Sequence, residues 1–369
     1  MAKLSLAVLF GGRSGEHEIS LLSARSVLNA LDRNRYEVTE IGITHQGSWL
    51  GGENVLAAFE AGDVSSLQPV ALFPEPGRRG LYVRGRDGSL ALQAELDVAF
   101  PALHGSFGED GTLQGFFELA ELPYVGAGVL ASAVAMDKAL FKQLMRAHRI
   151  PVPEFVVLES VELEADMQGA LDRAEAVASY PLFVKPANLG SSVGISKVRS
   201  RSDLLEGLMD AARYDRRLVV ERAVQAREIE VSVLGNEQPE ASMPGEIVPS
   251  DEFYSYRAKY IDETSELHIP APIDPETAEE ARRIAVEAYR AIDCAGMARV
   301  DLLLDKLNGK LYMNEINTIP GFTSISMYPK LWEASGVSYS ELMDRLIDLA
   351  LARGRQTHSL SRKYKGAGG

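Results

Sequence analysis

Four polar residues near the C-terminus have the types and spacing of a metal and phosphate site. Arg299 and Asp301 lie two residues apart in one segment, and Glu315 and Asn317 lie two residues apart in the next. Both segments are predicted as strands, so each pair shares one face, because side chains alternate along a strand. Oxygens from two carboxylates and one amide are suitable ligands for Mg²⁺ with bound phosphate.

The connection between these two strands decides whether the four side chains meet. A two-residue turn at Asn308 and Gly309 would place the carboxylates on opposite faces. A three-residue loop at 307–309, with Gly309 left-handed, would place Asp301 opposite Glu315. This register is favoured because it collects apolar side chains on the other face. They are Val300, Leu302, Leu304, Tyr312 and Ile316. The alternative is a solvated face with a cross-strand ion pair.

A second polar segment, 185–194, follows a predicted strand at 182–184 and reads Lys-Pro-Ala-Asn-Leu-Gly-Ser-Ser-Val-Gly. A Gly-Ser-Ser loop can donate N–H and hydroxyl hydrogens to phosphate oxygens, and Lys185 adds a positive charge. The segment is not a Walker A loop, because the Gly-Lys-Ser/Thr order is missing. A plain Gly-Ser hairpin is the alternative.

Two further loops carry residues suited to a small substrate. The run 11–18 leaves the first predicted strand, where α/β proteins bind ligands, and Glu18 suits an ammonium group. The alternative there is a helix start with acids placed at the positive end of the dipole. The run 253–260 carries three tyrosines and two cations, which suit an aromatic lid that excludes water. Its alternative is a surface strand.

The segment 320–327 follows the predicted hairpin directly. Its backbone N–H groups and serine hydroxyls can bind a carboxylate or an oxyanion. His104 is a lone histidine for which structural and functional roles are equally open. The sequence has no Ser-His-Asp order, no zinc-spaced Cys/His set and no reactive cysteine, so nucleophilic protein catalysis has no candidate.

The segments around these residues alternate between strands and helices. A buried strand at 4–10, a helix at 19–31 and a strand at 36–43 form a β-α-β unit, which indicates an α/β domain. The stretch 51–88 is rich in Gly, Pro and Arg and is predicted as irregular. Further helices are predicted at 131–148, 165–178, 274–292 and 339–351, the last capped by Ser338.

The bulk composition narrows the class of protein. A length of 369 residues suits two or three domains, and 46% hydrophobic with 24% charged residues is typical of a soluble protein. The net charge of −14 disfavours nucleic acid as a partner. The single cysteine, Cys294, fits a reducing compartment, and no run is long enough for a membrane helix. We therefore expect a cytoplasmic protein that does not bind membranes.

Several separated motifs resemble the D-alanine–D-alanine ligases of the ATP-grasp superfamily, from Leu6 to about Leu351. They are Gly11-Gly12-Arg13-Ser14 with Glu18-Ile19-Ser20-Leu21; His104-Gly105 with Gly108-Glu109-Asp110-Gly111; Met136-Asp137-Lys138; Lys185-Pro186 with Gly190-Ser191-Ser192-Val193-Gly194; Tyr256 with Lys259-Tyr260; and Asn314-Glu315-Ile316-Asn317-Thr318 with Pro320-Gly321.

The resemblance implies an α/β fold of three domains, an ATP-grasp fold preceded by a Rossmann-like N-terminal domain. The implied limits are 1–125 for the N-terminal substrate domain, 126–222 for the central ATP-grasp domain and 223–369 for the C-terminal domain with lid and metal site. It also implies ATP as a substrate, two Mg²⁺ ions for which Mn²⁺ can substitute, and a homodimer. The implied reaction joins two D-alanine molecules through an acyl phosphate, for peptidoglycan synthesis.

The resemblance also implies a role for individual residues, carried over by position. The catalytic residues would be Glu18, Ser191, Tyr260, Arg299 and Gly321. The substrate would be bound by Glu18, His104, Ser326 and Met327. ATP would be bound by Lys138, Lys185, Ser191, Glu221, Arg222, Val224, Glu228 and Lys259. Within this set the resemblance implies a hinge at 221–224 against adenine, Glu228 on the ribose, and Lys138 and Lys185 on the phosphates. Metal ions would be bound by Asp301, Glu315 and Asn317.

Two other functions compete with this one. Another ATP-grasp ligase, including one that joins D-alanine to D-lactate, would share most of these motifs. Such D-lactate ligases typically lack the lid tyrosine, so Tyr260 favours the dipeptide. A nucleotide-binding module without turnover is disfavoured, because Arg299, Asp301 and Glu315 are all retained.

Overall fold

A computed structural model describes residues 3–190, 193–248, 266–323 and 325–361. Within these ranges, every helix is too short or too polar to cross a membrane. The strands of these ranges form three sheets.

The first sheet is built from the N-terminal third of the chain. Its elements are β1 (Leu4–Gly11), α1 (His17–Ala30), β2 (Tyr36–Ile43), β3 (Trp49–Gly51), α2 (Val55–Glu60), β4 (Gln68–Ala71), β5 (Gly80–Arg84), β6 (Leu90–Glu95), β7 (Val98–Pro101) and α3 (Thr112–Ala120). The strand order is β6-β5-β4-β3-β2-β1-β7. Because β1 is parallel to both β2 and β7 and is covered on both faces, residues 6–10 are fully buried.

The stretch 51–88 is more regular than its composition predicted. It contains helix α2 and strands β4 and β5, and antiparallel pairing of β3 through β6 extends the first sheet. The prediction of an irregular segment was wrong because these strands are short and β6 is largely exposed, so they carry little hydrophobic periodicity.

The second sheet follows two helices. The elements are α4 (Val129–Met136), α5 (Lys138–Ala147), β8 (Phe155–Glu159), α6 (Ser160–Ala165), α7 (Met167–Glu175), β9 (Leu182–Pro186), β10 (Ser196–Val198), α8 (Arg201–Ala211) and β11 (Arg217–Arg222). The order β10-β9-β11-β8 is antiparallel throughout. The single helix predicted at 131–148 is two helices, because Asp137 is extended and its carboxylate accepts a hydrogen bond from the Leu140 N–H at 2.9 Å. The helix predicted at 165–178 corresponds to α7, which Asp166 caps, while the short helix α6 just before it was not predicted.

The third sheet carries the predicted hairpin. The elements are β12 (Ala226–Leu234), β13 (Glu240–Ala241), β14 (Gly245–Val248), β15 (Glu266–His268), α9 (Pro275–Ala291), β16 (Met297–Asp305), β17 (Leu311–Asn317), α10 (Met327–Ala334) and α11 (Tyr339–Ser359). The order is β15-β14-β12-β16-β17, with β13 paired to β12. Ser338 caps α11 as predicted, through the Glu341 N–H, but the helix extends beyond residue 351 to Ser359.

The last helix packs on the first sheet. Leu342, Leu346 and Ile347 of α11 share one buried cluster with Leu6 and Val8 of β1. A hydrogen bond of 2.7 Å from the Tyr36 hydroxyl to Asp344 crosses the same interface. Strand β1 and helix α11 are therefore held in one hydrophobic core.

Strands β16 and β17 pair in the register that brings the polar residues together. Asp301 lies opposite Glu315, and Arg299 lies opposite Asn317, as predicted. The loop itself differs, since Asp305 and Lys310 close it around residues 306–309 with Gly309 left-handed. A bulge at Asn314 then restores the predicted register.

This bulge changes the apolar face of the hairpin. Leu302 pairs with Met313 and Leu304 with Leu311, so Tyr312 does not belong to the apolar face where it was predicted. Met313 and Leu311 are buried there instead. The extra residue, Asn314, thus lets the hairpin keep its apolar side chains on one face and its four polar site residues on the other.

Candidate active site

Two adjoining cavities lie beside the hairpin. The inner cavity has a polar lining that includes Glu16, Glu109, Lys138, Arg299, Glu315 and Asn317. The long cleft has a polar lining that includes Lys185, Glu221, Arg222, Glu228, Asp301 and Glu315, and Val224 also lines it. Glu315 borders both, so the two spaces meet at the hairpin. The long cleft has a volume of about 620 Å³, which is within the range of cofactor sites.

Arg299 is held by two acids on neighbouring strands. Its Nε and terminal nitrogen donate to the two carboxylate oxygens of Asp301 at 2.7 and 2.6 Å. The same Nε lies 3.0 Å from Glu230 on β12. A guanidinium fixed in this way is pre-oriented toward the inner cavity, which it lines.

The three predicted metal ligands lie on this part of the hairpin. Among the described residues, no group of three His, Cys, Asp or Glu side chains is arranged to hold a metal ion. The hairpin offers two carboxylates, Asp301 and Glu315, and the amide of Asn317. In the described part of the chain, the buried Oδ1 of Asn317 accepts no hydrogen bond. This oxygen and the carboxylates fit a hard cation whose remaining ligands are phosphate oxygens.

Three charged side chains are linked beside the long cleft, and two of them, Lys142 and Glu221, are buried. Lys185 on β9 and Lys142 on α5 form ion pairs with the two carboxylate oxygens of Glu221, and the Lys142 distance is 2.8 Å. Burial raises the pKa of Glu221, but the two lysines outweigh it and hold the pKa well below its ordinary value. Burial lowers the pKa of Lys142, against the opposing effect of Glu221.

Lys142 was not among the predicted site residues, although its position on the apolar face of a helix indicated a paired, buried lysine. It lies one turn after Lys138, beside Phe141 and Met145 on the buried face of α5. A lysine at such a position is buried only when it is paired. The predicted phosphate ligand Lys138 lines the inner cavity, and its Nζ donates to the Leu189 carbonyl at 2.5 Å.

The predicted adenine hinge connects the second and third sheets. Residues 223–225 join β11 to β12 and border the long cleft. Arg222 ion-pairs with Glu154 at 2.5 Å, and its guanidinium lies 5.1 Å from the centre of the Tyr312 ring. Glu228, the predicted ribose ligand, lines the same cleft.

The structure brings Glu16, and not Glu18, to the inner cavity. Glu18 has a 67% exposed side chain and lies 3.3 Å from His45 on the surface. Glu16 is only 8% exposed, and its Oε2 is close enough to block a side chain at Gly105. The described linings of both cavities lack Glu18, because helix α1 begins at residue 17 and turns Glu18 outward. The residue just before the first turn points inward instead.

His104 is buried near the inner cavity and is held by hydrogen bonds through both ring nitrogens. Its Nδ1 donates to the Ile319 carbonyl at 3.1 Å, and its Nε2 lies 2.8 Å from the Ser23 hydroxyl. Burial lowers the pKa of His104, but the hydrogen bond to Glu109 and the negative charges of Glu109 and Glu16 together raise it above its ordinary value. Burial raises the pKa of Glu109 to about 6, against the opposing effect of His104. The described lining of the inner cavity contains Glu109 but lacks His104.

Three further predicted residues, Gly321, Ser326 and Met327, lie in or just after the loop that follows the hairpin. The described linings of both cavities lack Gly321, Ser326 and Met327. The Ser326 hydroxyl accepts a hydrogen bond from the Thr323 N–H at 3.0 Å, and the Met327 side chain packs with Ile247. Ser191, Lys259 and Tyr260 lie outside the described residues.

Family models match both parts of the chain. The D-ala D-ala ligase N-terminus matches residues 5–127, and the D-ala D-ala ligase C-terminus matches residues 144–348. The chain belongs to the D-alanine–D-alanine ligase family. The family that the sequence motifs indicated is thereby confirmed.

Relatives of this ligase family are similar over nearly the whole chain. A D-alanine–D-alanine ligase of Thermoanaerobacter sp. (strain X514) is 52% identical and covers 95% of this chain and 97% of its own. The solved VanG D-Ala:D-Ser ligase from Enterococcus faecalis is 37% identical, with a TM-score of 0.84 over 95% of this chain and 100% of its own. The solved D-alanine–D-alanine ligase from Coxiella burnetii is 38% identical, with a TM-score of 0.82 over 97% of each chain.

These neighbours confirm the predicted α/β ATP-grasp fold and the enzyme class, an ATP-dependent ligase.

Proposed function

We propose that this ligase joins two D-alanine molecules into D-alanyl-D-alanine for peptidoglycan synthesis, with cleavage of ATP to ADP and phosphate. The observation that carries this proposal is the hairpin, where Arg299 and Asp301 lie opposite Asn317 and Glu315. Its polar face borders one cavity sized for a nucleotide and one lined by acids. This arrangement suits phosphoryl transfer to a carboxylate better than hydrolysis by a protein nucleophile.

ATP would lie along the long cleft. Its adenine would contact the hinge at 221–224, its ribose Glu228, and its phosphates Lys138 and Lys185. The support for this placement is that the hinge and the hairpin both border one cleft. Lysine ammonium groups next to the triphosphate would offset its negative charge.

Asp301, Glu315 and Asn317 would hold two Mg²⁺ ions, for which Mn²⁺ can substitute. When bound, these ions neutralise charge on the β- and γ-phosphates during transfer. On binding a metal ion, Asp301 would give up part of its ion pair with Arg299. That exchange would leave the Arg299 guanidinium available to a developing anion in the inner cavity.

The first D-alanine would occupy the inner cavity. Its ammonium group would bind Glu16, which takes the role first predicted for Glu18, and Glu109 lies in the same lining. Its carboxylate would then face the γ-phosphate. A carboxylate oxygen attacks the γ-phosphorus, the bond from that phosphorus to the bridging oxygen breaks, and ADP leaves with the electron pair.

The second D-alanine would attack the resulting acyl phosphate. Its neutral amine adds to the acyl carbon, and Arg299 with the Gly321 N–H would stabilise the tetrahedral oxyanion. The carbon–oxygen bond then breaks, and phosphate leaves with one oxygen from the original carboxylate. Ser326 and the backbone N–H of Met327 would receive the second carboxylate, while Ser191, Lys259 and Tyr260 would close the lid.

We also propose the three-domain division at 1–125, 126–222 and 223–369, a homodimer, and a cytoplasmic location. The division is supported by the sheets, since β11 ends at Arg222 and β12 begins at Ala226. The location is supported by the single buried cysteine, which suits a reducing compartment.

A different second substrate is the main alternative. The D-Ala:D-Ser ligase among the structural neighbours has the same fold, so fold alone does not select the acceptor. D-Lactate is another candidate, and Tyr260 favours D-alanine over it.

The test is to measure ADP formation and to identify the product with each acceptor. Purified ligase, Mg²⁺ and ATP would be incubated with D-alanine alone, with L-alanine alone, and with D-alanine plus excess D-serine or D-lactate. We expect ADP and D-alanyl-D-alanine in equal amounts from D-alanine alone and no ADP from L-alanine. A mixed product in preference to the dipeptide would contradict the proposed acceptor.

A further inference from the structure

Lys142 is a buried charged residue to which the proposed reaction assigns no role. It is 1% exposed, and the described lining of the long cleft contains Lys185 and Glu221 but lacks Lys142. Within the described ranges, its Nζ lies 2.8 Å from Glu221 on β11. Because Lys142 does not line the cleft, its ion pair with Glu221 is the contact that connects it to the cleft.

Glu221 is shared between the two lysines. One carboxylate oxygen pairs with Lys142 on α5, and the other pairs with Lys185 on β9. Glu221 is only 2% exposed, so water does little to stabilise its charge if a partner leaves. The two lysines differ in one respect, because Lys185 borders the cleft and Lys142 does not.

This difference creates a competition for Lys185. A triphosphate in the cleft attracts the Lys185 ammonium, but Glu221 already holds it. If Glu221 had Lys185 as its sole cation, moving that ammonium to phosphate would strand a buried carboxylate. Lys142 supplies Glu221 with a second cation from the side away from the cleft.

We propose that Lys142 is a positioning residue for nucleotide binding, which keeps Glu221 paired and so allows Lys185 to turn to the phosphates. The proposal rests on the proposed function in assigning Lys185 to ATP. It differs from a purely structural role, in which Lys142 would stabilise the fold without changing the affinity of the folded protein for ATP.

The test compares ATP affinity among variants by calorimetric titration with Mg²⁺ in the absence of D-alanine. We expect Lys142→Met to weaken ATP binding by about tenfold or more, since one lost charge-assisted contact is of this order. The KM for D-alanine should stay unchanged, and kcat at saturating ATP should fall far less than ATP affinity. Lys142→Arg should retain most of the affinity, and Lys310→Met, at an exposed position, is the matched control.

A double variant separates the two roles. In a Glu221→Gln background, Lys142→Met should change ATP affinity by less than about threefold, because the neutral amide no longer retains Lys185. If Lys142→Met does not fold, Lys142→Gln takes its place. A folded Lys142 variant with native ATP affinity would overturn the proposal, as would an equal loss in the Glu221→Gln background. Native ATP binding without turnover of D-alanine would instead contradict the proposed function alone.

Discussion

At the scale of single residues, the site is organised by carboxylates that differ in their surroundings. Glu16 and Glu109 line the inner cavity, Asp301 and Glu315 face each other on the hairpin, and Glu221 is buried between two lysines. The sequence motifs identified the hairpin acids, because alternation along a strand is a strong constraint. The motifs did not separate Glu16 from Glu18, since both lie near a helix start and its exact first residue decides which one points inward.

Replacing Glu16 and Glu18 by glutamine should have very different effects. Glu16→Gln should raise the KM for the first D-alanine by roughly tenfold to a hundredfold, because a hydrogen bond to a charged group contributes about 1.5–3 kcal/mol. Glu18→Gln should leave steady-state kinetics unchanged, because its side chain lies on the surface beside His45. Initial rates against D-alanine concentration measure both effects. A larger effect for Glu18→Gln would restore the original assignment.

Arg299 provides a second prediction at this scale. Arg299→Ala should lower kcat by on the order of 10²–10³, the usual loss for an oxyanion donor, with little change in ATP affinity. Arg299→Lys should recover only part of the rate, because an ammonium cannot form the paired bonds that Asp301 now receives. Single-turnover rates with saturating ATP are the measurement. Native turnover in Arg299→Ala would remove this residue from the mechanism.

At the scale of elements, the hairpin shows what could be predicted and what could not. Its register at Asp301 followed from sorting apolar from polar residues, and this was confirmed. The loop and the bulge at Asn314 were missed, because two compensating one-residue changes leave the register at Asp301 the same. The break between α4 and α5 was missed for a similar reason, since Asp137 interrupts a continuous apolar pattern by capping.

Gly309 tests the importance of this loop. Its φ of 70° is left-handed, and open space surrounds the position of a Cβ, so a substitution there meets only backbone strain. Gly309→Ala should lower the free energy of unfolding by about 1–2 kcal/mol. Gly309→Asn should cost less, because asparagine tolerates this conformation. Urea denaturation measures both, and equal stability of the alanine variant would contradict the left-handed assignment.

At the scale of the whole molecule, the family motifs predicted the ATP-grasp fold, and the comparisons confirmed it. They did not predict that α11 would pack on the first sheet and extend to Ser359. Periodicity shows that a helix has an apolar face but does not show which distant surface covers it. Because α11 packs on β1 and α1, the end of the chain supports the segment that carries Glu16.

Leu346 tests this long-range support. It is fully buried in the cluster that joins α11 to the first sheet. Leu346→Ala should lower the free energy of unfolding by about 2–5 kcal/mol, the usual cost of such a core truncation. Gln356→Ala, at an exposed position of the same helix, should change it by less than about 0.5 kcal/mol. Similar stabilities of the two variants by thermal or urea unfolding would show that α11 is not part of the common core.

The acyl phosphate is the central claim of the mechanism, and an isotope label tests it directly. The ligase would be supplied with D-alanine labelled with ¹⁸O in the carboxylate, and the released phosphate would be examined by mass spectrometry. Each phosphate should carry one labelled oxygen, because the attacking carboxylate oxygen leaves with the phosphate when the amine displaces it. Unlabelled phosphate released together with dipeptide would contradict a carboxylate that attacks ATP.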